Sequence, residues 1–227
     1  MRRLLVLRPE PGASETVRRA RELGLDVTAA PLFEIEQLEW SPPDPGQFDG
    51  LLLTSANAIR HGGEGLAKFR GLPVYAVGDA TAEAARQAGF DIKAVGDADA
   101  ARLLGSIEPE LKLLHLCGYD RKATDGARQR ISPIAVYRSS EVVLPALRRI
   151  AGSVALLHSP RAARRFAELV EERDSIALIA ISAAAANEAG DGWQAVEVAE
   201  EPRDAAMLAL AVRLCNKHGG DGRKHHS

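Results

Sequence analysis

Two stretches of the chain share one pattern, in which an apolar run ends in a turn that suits the start of a helix. The first run, Leu51–Thr54, leads into Ser55, and the second, Val154–Leu157, leads into Ser159. The next turns keep the same spacing: residues 55 and 159 are 104 positions apart (159 − 55), and so are residues 78 and 182 (182 − 78). A constant offset across two landmarks indicates an internal duplication.

Short apolar runs alternate with helix patterns along both halves. Such runs predict strands that are buried on both faces, as in parallel sheets. The predicted strands lie at 3–7, 25–30, 33–38, 51–54, 74–77, 92–95, 112–116, 134–138, 154–157, 176–181 and 196–198. Ser14, Ser55 and Ser159 are predicted helix caps. The alternation predicts an α/β fold with two parallel sheets covered by helices.

The composition is that of a chain that can bury a core and carries little net charge. It has 227 residues, 46% of them apolar, which suits one large domain or two small ones. The net charge of −2 excludes a broad positive field, so we expect no nucleic-acid partner. No run approaches the ~18 apolar residues of a membrane span, and the N-terminus lacks the features of a signal peptide. We expect a cytoplasmic protein with no membrane partner, reduced cysteines and a disordered tail at 216–227.

Several common site motifs are missing from the sequence. It has no GxGxxG, GxxxxGK, HExxH or EF-hand pattern, and Cys117 and Cys215 are too far apart for a CxxC pair. The serines lack a GxSxG context, which favours helix capping over nucleophilic catalysis for Ser55 and Ser159. His225-His226 is better explained by an exposed tail than by a metal site. We therefore expect no metal.

Polar residues follow the predicted strands at the ends where α/β sheets bind ligands. Helix N-termini at these turns suit carboxylates or phosphates, so we expect two sheets that face an anionic ligand. Arg8 either grips a carboxylate or forms a surface ion pair. His115 and His158 are either catalytic acids or rim residues, and rim residues are favoured. Tyr137 either donates a proton or anchors its strand, and position alone does not separate these roles.

Taken together, the landmarks resemble uroporphyrinogen-III synthases. The matching segments occur in the order found in that family and span roughly Arg3 to Leu214. They are Leu7-Arg8-Pro9, Leu53-Thr54-Ser55-Ala56-Asn57-Ala58, residues 74–82 with Gly89, His115-Leu116-Cys117-Gly118, Val136-Tyr137-Arg138 and His158-Ser159-Pro160. Each segment alone is common, but their order and spacing together are fairly specific.

The resemblance implies two flavodoxin-like α/β domains that are joined by a two-stranded β ladder, with the ligand cleft between them. We expect a discontinuous first domain at 1–36 and 140–215, and a second domain at 37–139. The implied activity is that of a lyase without a cofactor. It cyclises the linear tetrapyrrole hydroxymethylbilane to uroporphyrinogen III in haem biosynthesis, with loss of water and inversion of the last pyrrole ring. The implied protein is a monomer, with the upstream deaminase as a transient partner.

The resemblance also implies site residues. Tyr137 matches the family tyrosine proposed as the acid for the leaving hydroxyl. The implied substrate-binding residues are Arg8, Thr54, Ser55, Asn57, Gly78, Thr81, Gly118, His158, Ser159 and Ser182. The sequence departs from the family pattern at Ser182-Ala183-Ala184, where Gly-Pro-Thr is common, and at Arg203, which replaces a threonine.

These departures keep two other hypotheses open. One is a two-domain tetrapyrrole- or anion-binding protein that has lost the synthase chemistry. The other is a generic two-lobed receptor for small anions. Substitution of Tyr137 separates them from an enzyme, because an enzyme with Tyr137 as its acid loses rate but keeps affinity.

Overall fold

The computed structural model describes residues 1–96, 99–121, 124, 126–143, 147 and 149–216. Contacts divide the chain into two compact units. We call Met1–Glu34 with Glu141–Ser227 the terminal unit, and Ile35–Ser140 the central unit. None of the helices in the described ranges is long and apolar enough to cross a membrane.

The described elements alternate between strand and helix through most of the chain. The strands are β1 Leu4–Val6, β2 Val27–Ala29, β3 Phe33–Gln37, β4 Gly50–Leu53, β5 Val74–Val77, β6 Ile92–Gly96, β7 Lys112–Gly118, β8 Arg130–Glu141, β9 Val154–Leu157, β10 Ala177–Ala180 and β11 Ala195–Val198. The α-helices are α1 Gly12–Glu22, α2 Asn57–His61, α3 Asp79–Gln87, α4 Ala100–Ser106, α5 Pro160–Leu169, α6 Ala183–Ala189 and α7 Asp204–Asn216. Short 3-10 helices cover Pro45–Gln47 and Glu64–Phe69.

The terminal unit is built on a sheet of five parallel strands in the order β11-β10-β9-β1-β2. Strands β9 and β10 are buried at every residue, as expected for continuous apolar runs covered on both faces. One face packs against Val17 of α1 and Met207 of α7, and the other packs against Phe166 of α5. The carboxyl ends of these strands therefore lie at one edge of a rigid, well-packed layer.

The central unit is built on a six-stranded sheet in the order β3-β8-β7-β4-β5-β6. The pairings from β8 to β6 are parallel. Phe69, Ala82 and Val136 pack with one face of its inner strands, and Leu103 and Leu104 of α4 pack with the other.

The two sheets repeat one strand order and one register. The order β6-β5-β4-β7-β8 in the central unit corresponds to β11-β10-β9-β1-β2 in the terminal unit. Leu51 pairs with Val74 in the central unit, and Ala155 pairs with Leu178 in the terminal unit. Each residue of the second pair lies 104 positions after its counterpart (155 − 51 and 178 − 74). The offset seen in the sequence is therefore an offset between equivalent strands, which supports the duplication.

Strands β3 and β8 carry the chain from one unit into the other. The Leu38 N–H donates to the Val136 carbonyl, and the Val142 N–H donates to the Leu32 carbonyl, both at 2.9 Å. The partner's number falls as the residue number rises, so the two segments run in opposite directions. This pair is the two-stranded ladder that the family resemblance implied.

Some predicted boundaries are wrong. Ser14 does not cap the first helix, because α1 begins at Gly12 and the Glu10 carboxylate accepts from both the N–H and the hydroxyl of Ser14. Helix α2 begins at Asn57, so Ser55 lies two residues before it. Strand β8 has 12 residues and extends well beyond the predicted 134–138, because pairing with its neighbours overrides its polar composition. The tail predicted at 216–227 lies outside the described residues from position 217 onward.

Candidate functional site

In the central unit, the turn after β4 holds three of the predicted residues. The Thr54 hydroxyl lies 3.0 Å from Nε2 of His115, which is on the neighbouring strand β7. The Ser55 hydroxyl accepts from the Asn57 N–H at 3.2 Å. Thr54, Ser55 and Asn57 are half-buried, so the turn keeps a solvent-facing side.

The imidazole of His115 is fully enclosed and uncharged. Its side chain is 2% exposed, and burial, with a smaller contribution from the charge of Arg121, lowers the pKa of His115 to about 4. Its Nδ1 is buried without a hydrogen-bond partner in the described structure. At neutral pH the ring carries one proton, and Thr54 is the polar group it contacts.

The next turn, after β5, depends on a glycine. Gly78 has φ of +83° and ψ of 148°, a backbone region that is essentially restricted to glycine. It precedes α3 and offers no side-chain cap, and its own N–H donates to the Gly96 carbonyl at 2.7 Å. Thr81 is buried in the first turn of α3. The first N–H groups of this helix are therefore left without a side-chain acceptor from the cap position.

Tyr137 lies on β8 against a glycine of β7. Gly118 pairs with Tyr137, and a Cβ atom at residue 118 would come within 2.9 Å of the Tyr137 ring. The ring also lies 6.3 Å from that of His61, at an interplanar angle of 42°. Burial first, and the charge of Arg60 second, lower the pKa of His61. Gly118 thus makes room for a half-buried phenol beside an imidazole that is kept neutral.

In the terminal unit, the polar residues converge on a carboxylate. Nε2 of His158 lies 2.9 Å from Oδ1 of Asp204, and the Thr16 hydroxyl donates to the same oxygen at 2.8 Å. Arg19 donates to the other oxygen at 3.4 Å. Burial alone would raise the pKa of the Asp204 carboxyl, but the hydrogen bonds from His158 and Thr16 and the nearby charges of His158 and Arg8 outweigh burial and lower it. Asp204 is therefore an ionised hub at the start of α7.

Arg8 extends from the end of β1 to the rim of this cluster. Its guanidinium lies 3.8 Å from Oδ1 of Asp204, which is an ion pair rather than a hydrogen bond. A Cβ atom at Gly12 would come within 2.4 Å of Arg8 Nε, so the glycine allows the guanidinium to lie against the start of α1. The side chain is about one-third exposed, and most of its donors are available to a ligand.

Ser159 and Ser182 cap the two helices that follow β9 and β10. The Ser159 hydroxyl accepts from the Ala162 N–H at 3.1 Å, and the Ser182 hydroxyl accepts from the Ala185 N–H at 3.3 Å. The capping predicted for Ser159 is confirmed. In both residues the hydroxyl oxygen serves the helix, which leaves the hydroxyl proton for another acceptor.

The predicted residues therefore fall into separate groups. In the central unit, one group follows β4, another follows β5, and a third joins Gly118 to Tyr137. In the terminal unit, Asp204 brings Arg8 and His158 together, while Ser182 belongs to a different turn. Their hydroxyl protons, guanidinium donors and helix N-terminal N–H groups all favour an anionic ligand.

Sequence reasoning missed the residues that organise the terminal cluster. Asp204, Thr16 and Arg19 lie on α7 and α1, and the Thr16–Asp204 bond joins positions that are 188 residues apart. No spacing rule links them. The usable clue is Asp204 itself, an acidic residue at the start of the last helix, where a carboxylate is favourable.

The central unit also has a groove that lies apart from these groups. This groove of about 730 Å³ is lined by Trp40, residues 62–65 and Lys68, and it includes none of the predicted site residues. Within the described ranges, no group of three or more His, Cys, Asp or Glu side chains is arranged to hold a metal ion.

Comparisons with known proteins agree with this picture. Residues 14–209 match the profile of the uroporphyrinogen-III synthase HemD family. A uroporphyrinogen-III synthase from Chlorobaculum parvum is 29% identical over 119 residues, and the matched segment covers 48% of this chain and 48% of that relative. The chain thus aligns with about half the length of that curated relative.

Solved structures support the fold. The uroporphyrinogen-III synthetase of Helicobacter pylori superimposes with a TM-score of 0.71 at 19% identity, covering 94% of this chain and 100% of that one. A mutant uroporphyrinogen III synthase of Thermus thermophilus superimposes with a TM-score of 0.57 at 19% identity, covering 96% and 100%. At this identity the likeness is one of fold.

Proposed function

The chain belongs to the uroporphyrinogen-III synthase family, and on this premise we propose that it converts hydroxymethylbilane to uroporphyrinogen III in haem biosynthesis. The observation that carries the proposal is the family match over residues 14–209, which extends through both units. The proposed enzyme is a lyase that uses no cofactor, and its substrate is a linear tetrapyrrole with many carboxylates.

The donors described above support recognition of such a substrate. We propose that Arg8, Thr54, Ser55, Asn57, Gly78, Thr81, Gly118, His158, Ser159 and Ser182 contribute to binding. Arg8 supplies a guanidinium with free donors, and the serine and threonine hydroxyls supply protons. The uncapped start of α3 adds N–H groups and the positive end of a helix dipole. Each unit thus offers donors for carboxylates without a strongly basic surface.

We propose that Tyr137 acts as the general acid. Its phenol protonates the terminal hydroxyl of hydroxymethylbilane, and the C–O bond breaks. Water departs, and an azafulvene cation remains on the substrate. The substituted carbon of the last pyrrole ring attacks this cation to form a spiro intermediate. That intermediate reopens and closes with the ring inverted, and the proton lost at closure returns to the phenolate. The net change is the loss of one water.

The remaining task of the protein is to position the linear tetrapyrrole substrate. Direct closure without inversion competes, so the enzyme must hold the reacting ends in the geometry that favours the spiro route. A rigid sheet edge with fixed hydroxyls supports this role better than a mobile loop would. A near-neutral protein without a nucleophilic triad is compatible with such a reaction.

We propose domain boundaries near residues 36/37 and 139/140, within two residues of the divisions between the two compact units. We also propose a cytoplasmic monomer and transient delivery of substrate by the upstream deaminase.

A coupled assay tests the function. Hydroxymethylbilane is generated in place by its deaminase, this protein is added, and the oxidised products are separated into type I and type III porphyrins. Type III in excess of the protein-free control supports the synthase. Type I alone, with a folded protein by circular dichroism, rejects the synthase and favours the binding-only alternative.

The role of Tyr137 is tested by Tyr137→Phe in the same assay. We expect kcat to fall at least tenfold with KM unchanged, because the phenol acts on the leaving group and not on binding. Tyr75→Phe is the matched control, since this ring is buried in the sheet, and we expect full activity from it. An unchanged kcat in Tyr137→Phe would show that Tyr137 is not the general acid.

A further inference from the structure

His115 has a structural environment that the proposed reaction does not explain. It lies on β7 opposite Leu52 of β4, and Thr54 is the residue that follows the last residue of β4. Leu52 and His115 are paired and share a face of the sheet, and Thr54 comes two residues after Leu52, which places it on the His115 side. Their contact at 3.0 Å joins a buried ring to the half-buried end of the strand.

The ring must place one proton on one of two nitrogens. With the pKa of His115 near 4, it is neutral at pH 7. A proton on Nδ1 would leave a buried N–H without an acceptor, since Nδ1 has no partner in the described structure. A buried N–H without an acceptor is rarer than a buried acceptor without a donor. The Nε2–H form is therefore favoured, with Nε2–H donating to the Thr54 hydroxyl.

This arrangement determines what Thr54 offers to a ligand. If its oxygen accepts from His115, its own proton is left to donate to another acceptor. Ser55 is in the same situation, because its oxygen accepts from Asn57 N–H. Both adjacent hydroxyls therefore keep a proton to donate, and a carboxylate is an acceptor that the two can bind together.

We propose that His115 is a positioning residue that orients the Thr54 hydroxyl as a hydrogen-bond donor to a substrate carboxylate. The proposal rests on the proposed function for the nature of the ligand. His115 itself does not touch the substrate.

The proton position can be measured directly. Long-range 1H–15N NMR of the full-length protein at pH 7 reports which imidazole nitrogen carries the proton. We expect a neutral Nε2–H ring for His115. A ring protonated on Nδ1, or on both nitrogens, would overturn the proposal whatever the protein binds.

The effect on binding is tested by a double-mutant cycle with uroporphyrin I, an octacarboxylate tetrapyrrole, followed by its fluorescence anisotropy. Thr54→Val should weaken binding about tenfold, as expected for one hydrogen bond to a charged group. His115→Phe should weaken it by a similar factor, and the double variant should be no weaker than Thr54→Val alone. Losses that add independently would show that His115 does not act through Thr54.

Two further variants separate orientation from folding. His115→Gln retains an N–H donor and should recover most of the affinity lost in His115→Phe. Thr28→Val removes a hydroxyl from β2 in the terminal unit and should bind like the unmodified protein. Failure of the unmodified protein to bind uroporphyrin I would reject the ligand class and with it the proposed function, whereas the NMR result decides the role of His115 separately.

Discussion

The terminal unit places His158 at the end of β9, and the central unit places Thr54 at the equivalent end of β4, 104 residues earlier. Each side chain has a polar partner, but the partners differ in kind. His158 contacts Asp204, an ionised carboxylate that also accepts from Thr16 and Arg19. Thr54 contacts His115, which is neutral and almost completely buried. Equivalent backbone positions can thus be held by an ionic cluster or by a neutral hydrogen bond.

The two arrangements differ in how much folding free energy is lost when one hydrogen-bond or ion-pair partner is removed. Removal of Asp204 leaves two buried groups, on Thr16 and His158, without their acceptor, and two part-exposed arginines without a charge partner at that point, whereas removal of Thr54 leaves one buried group. The comparison therefore predicts unequal sensitivity to mutation and to pH in two units with the same strand order.

The largest expected effect comes from removal of the hub. Asp204→Ala takes away the acceptor for His158, Thr16 and Arg19, and we expect it to lower the free energy of unfolding by about 3 kcal/mol. Thr54→Val, which removes the hydrogen-bond partner of His115 in the central unit, should cost about 1 kcal/mol. Urea unfolding gives the free energies, and hydrogen exchange of peptides from the strands shows which sheet is weakened.

For Asp204→Ala we expect the loss of protection in β1 and β9 and little change in β4 and β5. Glu201→Ala, which removes an exposed carboxylate nearby, is the control and should change stability by less than about 0.5 kcal/mol. Equal losses for Asp204→Ala and Thr54→Val would show that the ionic cluster is no more demanding than the neutral pair.

The second effect is that His115 and Asp204 stabilise the fold over different pH ranges. His115 has a folded pKa of about 4, below the 6.5 of an unfolded histidine, so the unfolded chain binds more protons between these values. Stability from this group is present above pH 6.5 and falls by about 3 kcal/mol as the pH drops to 4. The folded pKa of Asp204 is lowered, so its contribution is present above about pH 3.9 and is lost only as the pH falls further.

Urea unfolding at pH 7 and pH 4.5 measures this difference. The unmodified protein should lose stability between the two values, and His115→Gln should lose clearly less. His61→Gln is the comparison variant, because the pKa of His61 is also lowered but its side chain is only half-buried. A loss of stability in His115→Gln as large as that of the unmodified protein would place the acid sensitivity elsewhere.

The sequence was sufficient for those features that depend on local pattern. Continuous apolar runs predicted the inner strands, and Ser159-Pro160 predicted the start of α5, because strand burial and helix capping are set by neighbouring residues. The fixed offset predicted the equivalence of β4 and β9. The β ladder and the discontinuous arrangement came from the family resemblance and not from periodicity.

The polar contacts were beyond such reasoning. Asp204 meets His158 across 46 positions, and His115 meets Thr54 across 61. Each pair depends on which helices and strands become neighbours and on side-chain length, and neither is encoded in spacing. Ser14 shows the same limit at short range, because the Glu10 carboxylate competes with it for the start of α1.

The smallest expected effect compares the two turns that lie one strand further out, at Gly78 and Ser182. Ser182 has an extended backbone, with φ of −157°, and caps α6 through its hydroxyl. Gly78 has φ of +83° and no side chain with which to cap α3. Exchanging the residues should therefore be asymmetric. Gly78→Ser should cost about 2 kcal/mol from backbone strain, and Ser182→Gly only about 0.3 kcal/mol.

The cause of the loss at Gly78 can be separated from crowding. A Cβ atom at this position would meet no heavy atom within 4 Å in the described structure, so Gly78→Ala has space and should still lose about 2 kcal/mol through its φ angle. Urea unfolding of Gly78→Ala, Gly78→Ser and Ser182→Gly measures all three changes. If Gly78→Ala were neutral, the positive φ would not be required there. If Gly78→Ala is destabilising, the turn at Gly78 requires glycine for its backbone conformation, and the first N–H groups of α3 have no side-chain cap as a consequence. The equivalent turn at Ser182 instead caps α6 with the serine hydroxyl.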